Sequence, residues 1–385
     1  MLHRGLSLST ILLFANTAWY LYNYRLSLAE AIRDAGMTAV LVSPFDSYVD
    51  QLQSAGFEWR RLEVSRKGVN PVSETFALCR CVSLYREISP DLVHHFTVKP
   101  ILYGSMAARM ARVGAVVNSV TGLGFVFSSG SVRARVLRRL IRWPYRIALS
   151  GRHSRVIFQN DDDRRRLLAM GLVDWDRTAV IPGSGVDLQR FHPVPEPAGI
   201  PRAAIVSRML WDKGVLELVE AARVLQTRGV PGRIVLVGGP DPGNPSSIPA
   251  SQLEAWRSEG VVDWWGHRDD LATVYSDVNL IVLPTKYGEG VPRSLVEGAA
   301  AGRALVATDL PGCREVVVPG VTGILVPPGD PSALADALQE LLQEPNLRRR
   351  MGQAARERAE AMFSAQRVNS ETLSLYHSLL GRKAP

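Results

Sequence analysis

Two glutamates and two cations have the types and spacing to handle a phosphorylated, hydroxyl-bearing ligand. Glu289 and Glu297 lie in "YGEGVPRSLVEGAAAGRALVATD", Tyr287–Asp309. Pro292 suits the first turn of a helix, where its missing N–H is not needed. The amides around Gly290 and Val291 are then free to meet phosphate oxygens. A carboxylate at that place would repel phosphate. It makes sense when it accepts hydrogen bonds from neutral hydroxyls beside the phosphate, as on a sugar. Glu297 falls about 12 Å further along the helix, rotated about 80° beyond two turns. One acid can therefore meet a sugar ring and the other a ribose, with a diphosphate between them. Arg208 and Lys213, five apart in "SRMLWDKG" (Ser207–Gly214), sit on a strand-to-helix turn. Two cations there can neutralise a diphosphate and stabilise it as a leaving group. Spacing alone also describes a solvated loop glutamate, a helix-surface glutamate and an ordinary surface cation pair.

These residues need rigid elements behind them. Short β-branched runs alternate with amphipathic helices: "TAVLVSP", "DLVHHF", "AVVNSV", "SRVIFQN" and "TAVIPG" in the first half, and "RAAIVSR", "RIVLVGG", "VDWWG", "VNLIVLP", "ALVAT" and "GILVPP" in the second. That pattern predicts parallel sheets covered on both faces. "ILLFAN", near the start, reads as a first core strand feeding an amphipathic helix that Gly36 ends, in preference to a leader peptide. "HPVPEPAGIP" (His192–Pro201) has four prolines in ten residues and suits neither helix interior nor central strand. It reads as a linker. The expected organisation is α/β: a doubly wound domain over 1–190, a linker over 191–201, a second doubly wound domain over 202–362, and a final segment over 363–385. Ligands of such sheets bind beyond the strand carboxyl ends, here in a cleft that both sheets would face.

The net charge of +8 over 385 residues is unevenly divided. Residues 1–190 hold 25 Lys and Arg against 15 Asp and Glu, while the remainder holds 20 against 22. Arg135, Arg138, Arg139, Arg142 and Arg146 fall on one helical face, opposite apolar residues. This describes either a solvated basic face or a surface drawn to anionic headgroups or a diphosphate lipid. No aromatic residues interleave and no nucleic-acid motif is present, so a nucleic-acid partner is not expected. No apolar run reaches the roughly 18 to 20 residues of a membrane span. Cys79, Cys81 and Cys313 are too few for a disulfide framework and lack partners for zinc. The acids of "DWD" (Asp174–Asp176) have no supporting metal pattern, and "DDD" (Asp161–Asp163) reads as a helix opening. Metal and dinucleotide cofactors are not expected. "TGLG" has Phe127 where a dinucleotide fingerprint needs its third glycine.

In combination, "SRMLWDKG", "VLVGGPDPGNPSSIP", "WWGHRDDL" and "VLPTKYGEGVPRSLVEGAAAGRALVATDLPGCREVVVPGVTGILVPPGD" resemble glycosyltransferase family 4, retaining nucleotide-sugar transferases of GT-B fold. "NTAWYLYNYRLSLAEAIRDAG", "SRKGVNP", "FTVKPILYG", "VTGLGFVF" and "IPGSGVDLQRF" are similar to a bacterial branch transferring galactosyl and N-acetylgalactosaminyl groups to polyprenyl-diphosphate saccharides. The resemblance spans nearly the whole chain. It implies that Arg208 and Lys213 bind the donor diphosphate and that Glu289 contacts the donor sugar. It further implies that Glu297 holds the ribose, that Gly290, Val291 and Pro292 meet phosphate and sugar, and that Gly266, His267 and Arg268 flank the nucleobase. The last helix, from about Phe363 to Leu380, would cross back to the first domain. Many members carry an aspartate, two apolar residues, His, any residue and His at a first-domain strand end. This chain has "DLVHHF": His94 fits, the later position is Phe96, and adjacent His95 would face the opposite side. Thr121 and Gly122 compete for a place near the acceptor. The implied activity is transfer of a hexose or N-acetylhexosamine from a UDP-sugar, without metal, to a lipid-linked saccharide at the cytoplasmic face of the membrane. A dinucleotide-dependent epimerase or oxidoreductase and a glycolipid-binding scaffold without turnover are the alternatives.

Overall fold

The computed structural model describes residues 9–64, 71–122, 142–151 and 153–381. The chain divides into two compact units. Unit 1 comprises Met1–Gly185 and Ala365–Pro385, and unit 2 is Val186–Ser364. Arg135, Arg138 and Arg139 lie outside the described residues.

Unit 1 is built on a seven-stranded sheet of β1 (Thr10–Phe14), β2 (Thr38–Ser43), β3 (Glu58–Arg61), β4 (Leu92–Phe96), β5 (Ala115–Val120), β6 (Ser154–Phe158) and β7 (Thr178–Val180). Their order is β3-β2-β1-β4-β5-β6-β7, and every pairing is parallel. Parallel strands need crossovers, so helices cover both faces. On one face Leu21, Leu28 and Ile32 of the helix Ala18–Asp34 join Val368 and Tyr376 of the helix Ala365–Leu379 over Ile11, Leu13 and Phe96. On the other, Cys81, Val82 and Tyr85 of the helix Pro71–Ile88 cover Leu12, Phe14 and Val93. The last helix therefore completes unit 1. Asn369 Nδ2 donates to Ser27 O at 3.0 Å.

Both β4 histidines belong to this core. His94 is 1% exposed and His95 0%. His94 shares hydrogen bonds with Tyr376 Oη through Nδ1 (2.5 Å) and with Ser119 Oγ through Nε2 (2.7 Å). His95, on the opposite face, is closed by Asn118 Oδ1 (2.8 Å) and Tyr85 Oη (2.9 Å). Gly104 lacks a side chain for a reason: a Cβ there would lie 2.5 Å from the His95 ring. The acceptor-side role suggested for these histidines does not fit, because protein groups occupy all four ring nitrogens. Burial holds His94 well below the usual imidazole range and lowers His95 to about 4. Both rings are thus neutral when folded and take up protons on unfolding. Their contribution is complete above the unfolded pKa near 6.5 and is lost as pH falls toward 4. For His95 alone the shift corresponds to about 3 kcal/mol. Urea unfolding followed at pH 7.5 and at pH 4.5 should show a loss of at least that size. Equal stabilities would contradict neutral buried rings.

Unit 2 holds a six-stranded sheet of β8 (Arg202–Val206), β9 (Arg233–Val237), β10 (Asp263–Gly266), β11 (Leu280–Leu283), β12 (Ala304–Thr308) and β13 (Gly323–Val326), in the order β10-β9-β8-β11-β12-β13 and all parallel. The proline-rich stretch expected as a linker is part of this unit. Phe191 is 2% exposed in its core. Glu196 accepts from Arg348 Nε and Nη2 at 3.0 and 2.6 Å and from Asn279 Nδ2 at 3.1 Å. The boundary lies at Gly185/Val186. Where the chain returns, Val186 N–H donates to Phe363 O (2.8 Å) in unit 2, and Gly185 lies against Ala365 in unit 1.

Candidate functional site

In unit 2 the chain adds strands outward from β8 to β9 and β10, then returns to β11 on the other side of β8. That reversal makes the carboxyl ends of β8 and β11 the topological switch point of the sheet. Two loops meet there. The first follows β8 through a 3-10 turn, Trp211–Lys213, into the helix Val215–Thr227. The second runs from Pro284 to Pro292, which caps the helix Arg293–Ala300. Small residues let that helix lie close on β11; a Cβ at Gly298 would be 2.7 Å from Ile281.

The loops are bound closely together. Lys286 N–H and Thr285 Oγ1 donate to Asp212 O at 2.9 and 3.3 Å. Gly214 has φ +75°, and a Cβ there would fall 1.9 Å from Pro284 O. Two ion pairs cross between the loops in opposite directions. Lys213 Nζ lies 2.6 Å from Glu289 Oε2, and Lys286 Nζ lies 2.5 Å from Glu217 Oε1. Each carboxylate keeps its other oxygen, Glu289 Oε1 and Glu217 Oε2, enclosed and without a hydrogen-bond partner. An enclosed oxygen left unsatisfied costs about 1–3 kcal/mol. A carboxylate only accepts, so what is missing at each is a donor, such as a hydroxyl.

The other expected residues lie on the same framework. Arg208, on the loop after β8, is largely exposed and pairs with Asp241 at 2.5 Å. Asp241 follows β9, and its loop is tied to the first by Met209 N–H to Gly239 O (2.9 Å) and Trp211 N–H to Ser246 O (2.8 Å). Gly290 and Glu289 are pressed by the helix Pro311–Val316: a Cβ at Gly312 would be 1.7 Å from Gly290 O and 2.5 Å from Glu289 O. Val291 and Pro292 are buried. Cys313, beside this contact, is no nucleophile, since burial and then the Glu289 charge raise its thiol to about 12. Gly266, His267 and Arg268 form the turn after β10. Gly266 O accepts from Gly238 N–H at 2.7 Å, while His267 and Arg268 face Asp269 and Asp270.

The structure brings Lys213 and Glu289 into direct contact and leaves Arg208 on the same loop with a different partner. Glu297 is held by neighbouring side chains. It is 3% exposed, and both oxygens are engaged, Oε1 by Arg293 Nε (2.5 Å) and Oε2 by Tyr275 Oη (2.9 Å). Each oxygen keeps a second lone pair with which it can accept from a hydroxyl. In unit 1, Thr121 and Gly122 follow β5 directly and are half-buried. Lys286 and Glu217 escaped sequence reasoning. The available signal was an acid in the first turn of the helix that follows Lys213.

Comparison with known proteins finds glycosyltransferases and the same fold. Residues 200–344 match the family model of the glycosyl transferases group 1, and residues 10–160 match the glycosyl transferase 4-like model. The N,N'-diacetylbacillosaminyl-diphospho-undecaprenol alpha-1,3-N-acetylgalactosaminyltransferase of Campylobacter jejuni is 26% identical over 373 residues, covering 94% of this chain and 96% of that protein. A glycosyltransferase crystal structure from Rickettsia africae superposes with a TM-score of 0.79 at 20% identity, over 97% of this chain and 99% of that one. Anabaena HepE, solved in complex with UDP and glucose, gives 0.78 at 19% identity, over 96% and 99%.

Proposed function

We propose, from the premise that this chain belongs to the group 1, 4-like glycosyltransferases of GT-B fold and is a hexosyltransferase, that it moves a hexose or N-acetylhexosamine from a UDP-sugar onto a polyprenyl-diphosphate-linked saccharide with retention of configuration. The observation that carries this reading is the enclosed, unpartnered Oε1 of Glu289 beside Lys213. A donor sugar supplies the missing hydroxyl, and its diphosphate supplies the anion for the ammonium. Lys213 then exchanges Glu289 for phosphate, and Arg208 exchanges Asp241 in the same way.

An acceptor hydroxyl oxygen attacks the anomeric carbon on the face that the diphosphate leaves. The carbon–oxygen bond to the phosphate breaks, the new glycosidic bond forms, and the hydroxyl proton passes to the departing phosphate oxygen. Lys213, Arg208 and the Gly290–Val291 amides stabilise the charge that develops on the diphosphate. Glu289 orients the sugar. The two cations take the place of a divalent ion. The acceptor named in the Campylobacter relative is a diphospho-undecaprenol, which supports a lipid-linked acceptor here. No helix among the described residues is long and apolar enough to cross a membrane. Trp143, 73% exposed between Arg142 and Arg146, suits peripheral contact with an anionic bilayer at the cytoplasmic face.

One assay tests the reading: a panel of nucleotide sugars offered with a polyprenyl-diphosphate saccharide in neutral or anionic vesicles, with and without EDTA. We expect transfer from a UDP-sugar with retention, undiminished by EDTA and faster on anionic vesicles. Absence of transfer from every donor refutes the activity. Loss of transfer with EDTA refutes the cation mechanism, and equal rates on both vesicles refute the membrane contact.

A further inference from the structure

Unit 1 contains a buried cation that the donor chemistry does not use. Arg25, on the helix Ala18–Asp34, is 5% exposed. Two other arginines of comparable burial are well provided for. Arg348 pairs with Glu196, and Arg303 Nε donates to Tyr275 O at 2.8 Å. Arg25 has no carboxylate within ion-pair distance among the described residues. Its Nη2 donates to Tyr20 Oη at 3.1 Å, and its Nε is enclosed without an acceptor. The guanidinium lies 4.3 Å from the ring centre of Phe96 and 5.7 Å from that of Tyr20. Stacking repays part of the desolvation of a guanidinium and leaves the in-plane Nε–H unsatisfied.

Phe96 ends β4, and the next residue is anomalous as well. Thr97 is β-branched yet has φ +69°, a conformation that such residues rarely adopt. Its Oγ1 is enclosed and unpartnered. β4 pairs with β1, and the strand order reverses between them, so this is the switch point of the first sheet. The strained Thr97, with its enclosed hydroxyl, is thus the chain neighbour of the ring that the Arg25 cation covers, at the end of the sheet where doubly wound folds bind ligands. Trp19, 40% exposed, and Tyr20, stacked on Tyr24 at 5.0 Å, place aromatic faces alongside.

Resting on the acceptor reading above, we propose that this end of unit 1 is an oxyanion site, with Arg25 as its cation and Thr97 Oγ1 as a second donor, that takes a phosphate oxygen of the diphosphate-linked acceptor. The Nε–Nη edge of a guanidinium matches two phosphate oxygens, which an ammonium would not.

Pyrophosphate binding, measured by calorimetry, tests the site. Replacing Arg208 and Lys213 together by Ala removes the two cations assigned to the donor diphosphate, so binding that remains and that responds to Arg25 reports on unit 1. Wild-type protein saturated with UDP gives the same comparison where that variant does not fold. Adding Arg25→Met should weaken the remaining binding at least tenfold and leave the melting temperature equal or higher, because Met fills the space without a charge to desolvate. Arg25→Met alone should raise the KM for the lipid-diphosphate acceptor at least tenfold and leave the donor KM unchanged. Pyrophosphate affinity unaffected by Arg25→Met overturns the site, as does a melting temperature several degrees lower, which would make Arg25 a structural cation. Weakened pyrophosphate binding with an unmoved acceptor KM assigns the site to free phosphate and overturns the acceptor link. If no nucleotide sugar is transferred at all, the transferase reading fails while the pyrophosphate comparison still reports on Arg25.

Discussion

Glu289→Gln should lower the turnover of sugar transfer by at least a hundredfold and tighten UDP binding at the same time. The two effects have one origin. The carboxylate holds Lys213 at 2.6 Å, so a diphosphate must compete with it for the ammonium. Glutamine keeps the shape and removes the competing charge, which releases Lys213 for the phosphate. The same change weakens the acceptor that fixes the sugar hydroxyl, and the anomeric carbon loses its orientation toward the attacking group. A hundredfold fall in rate corresponds to about 2.7 kcal/mol of transition-state stabilisation. Steady-state kinetics and UDP titration of the same preparation separate these effects. Unchanged turnover would remove Glu289 from the reaction, and UDP binding that weakens would mean that the ion pair assembles the site instead of guarding it.

Gly214→Ala should be strongly destabilising in unit 2. Its φ of +75° disfavours any side chain by roughly 1 kcal/mol. Steric collision costs more, since a Cβ 1.9 Å from Pro284 O can be accommodated only by moving backbone. Separating the loops breaks the Lys286 N–H to Asp212 O bond and pulls Lys213 from Glu289. We expect a loss of about 3–5 kcal/mol, a melting temperature lower by roughly 10 °C, and no measurable transfer. Gly229→Ala is the control. It has φ +66° and nothing within 4 Å of an added Cβ, so it carries the strain without the collision. Differential scanning of both variants should leave Gly229→Ala within about 1 kcal/mol of wild type. Similar melting temperatures for the two would show that the close approach of the loops does not hold this end of the sheet together.

Most of the fold was legible because its signal is periodic. Eleven of the thirteen strands among the described residues begin or lie within the β-branched runs noted above, and "ILLFAN" supplies β1 (Thr10–Phe14). β3 (Glu58–Arg61) was not legible. Its sequence "EWRR" is that of an edge strand, where charge is a defence against further pairing, so neither alternation nor an apolar run marks it. The linker reading failed because prolines exclude regular structure without excluding burial. Phe191 and the Glu196–Arg348 pair anchor that stretch in unit 2. Within the site, Lys213 and Glu289 could be named from residue type, but their contact depends on two loops meeting at a switch point. Lys286 and Glu217 carried no local pattern, and their pairing is equally a product of the third dimension. Glu297 shows the converse: spacing gave its height on the helix, while its partners, Arg293 and Tyr275, decide how much of each oxygen is left to accept.

The return of the chain to unit 1 at Ala365 has a consequence for biogenesis. A nascent polypeptide of 364 residues already contains unit 2 in one uninterrupted piece, whereas unit 1, begun first, still lacks Val368, Asn369 and Tyr376. The face over Ile11, Leu13 and Phe96 is therefore covered only in part until the segment after Ser364 is made, and His94 waits for its tyrosine until then. Unit 1 starts before unit 2 and is completed after it.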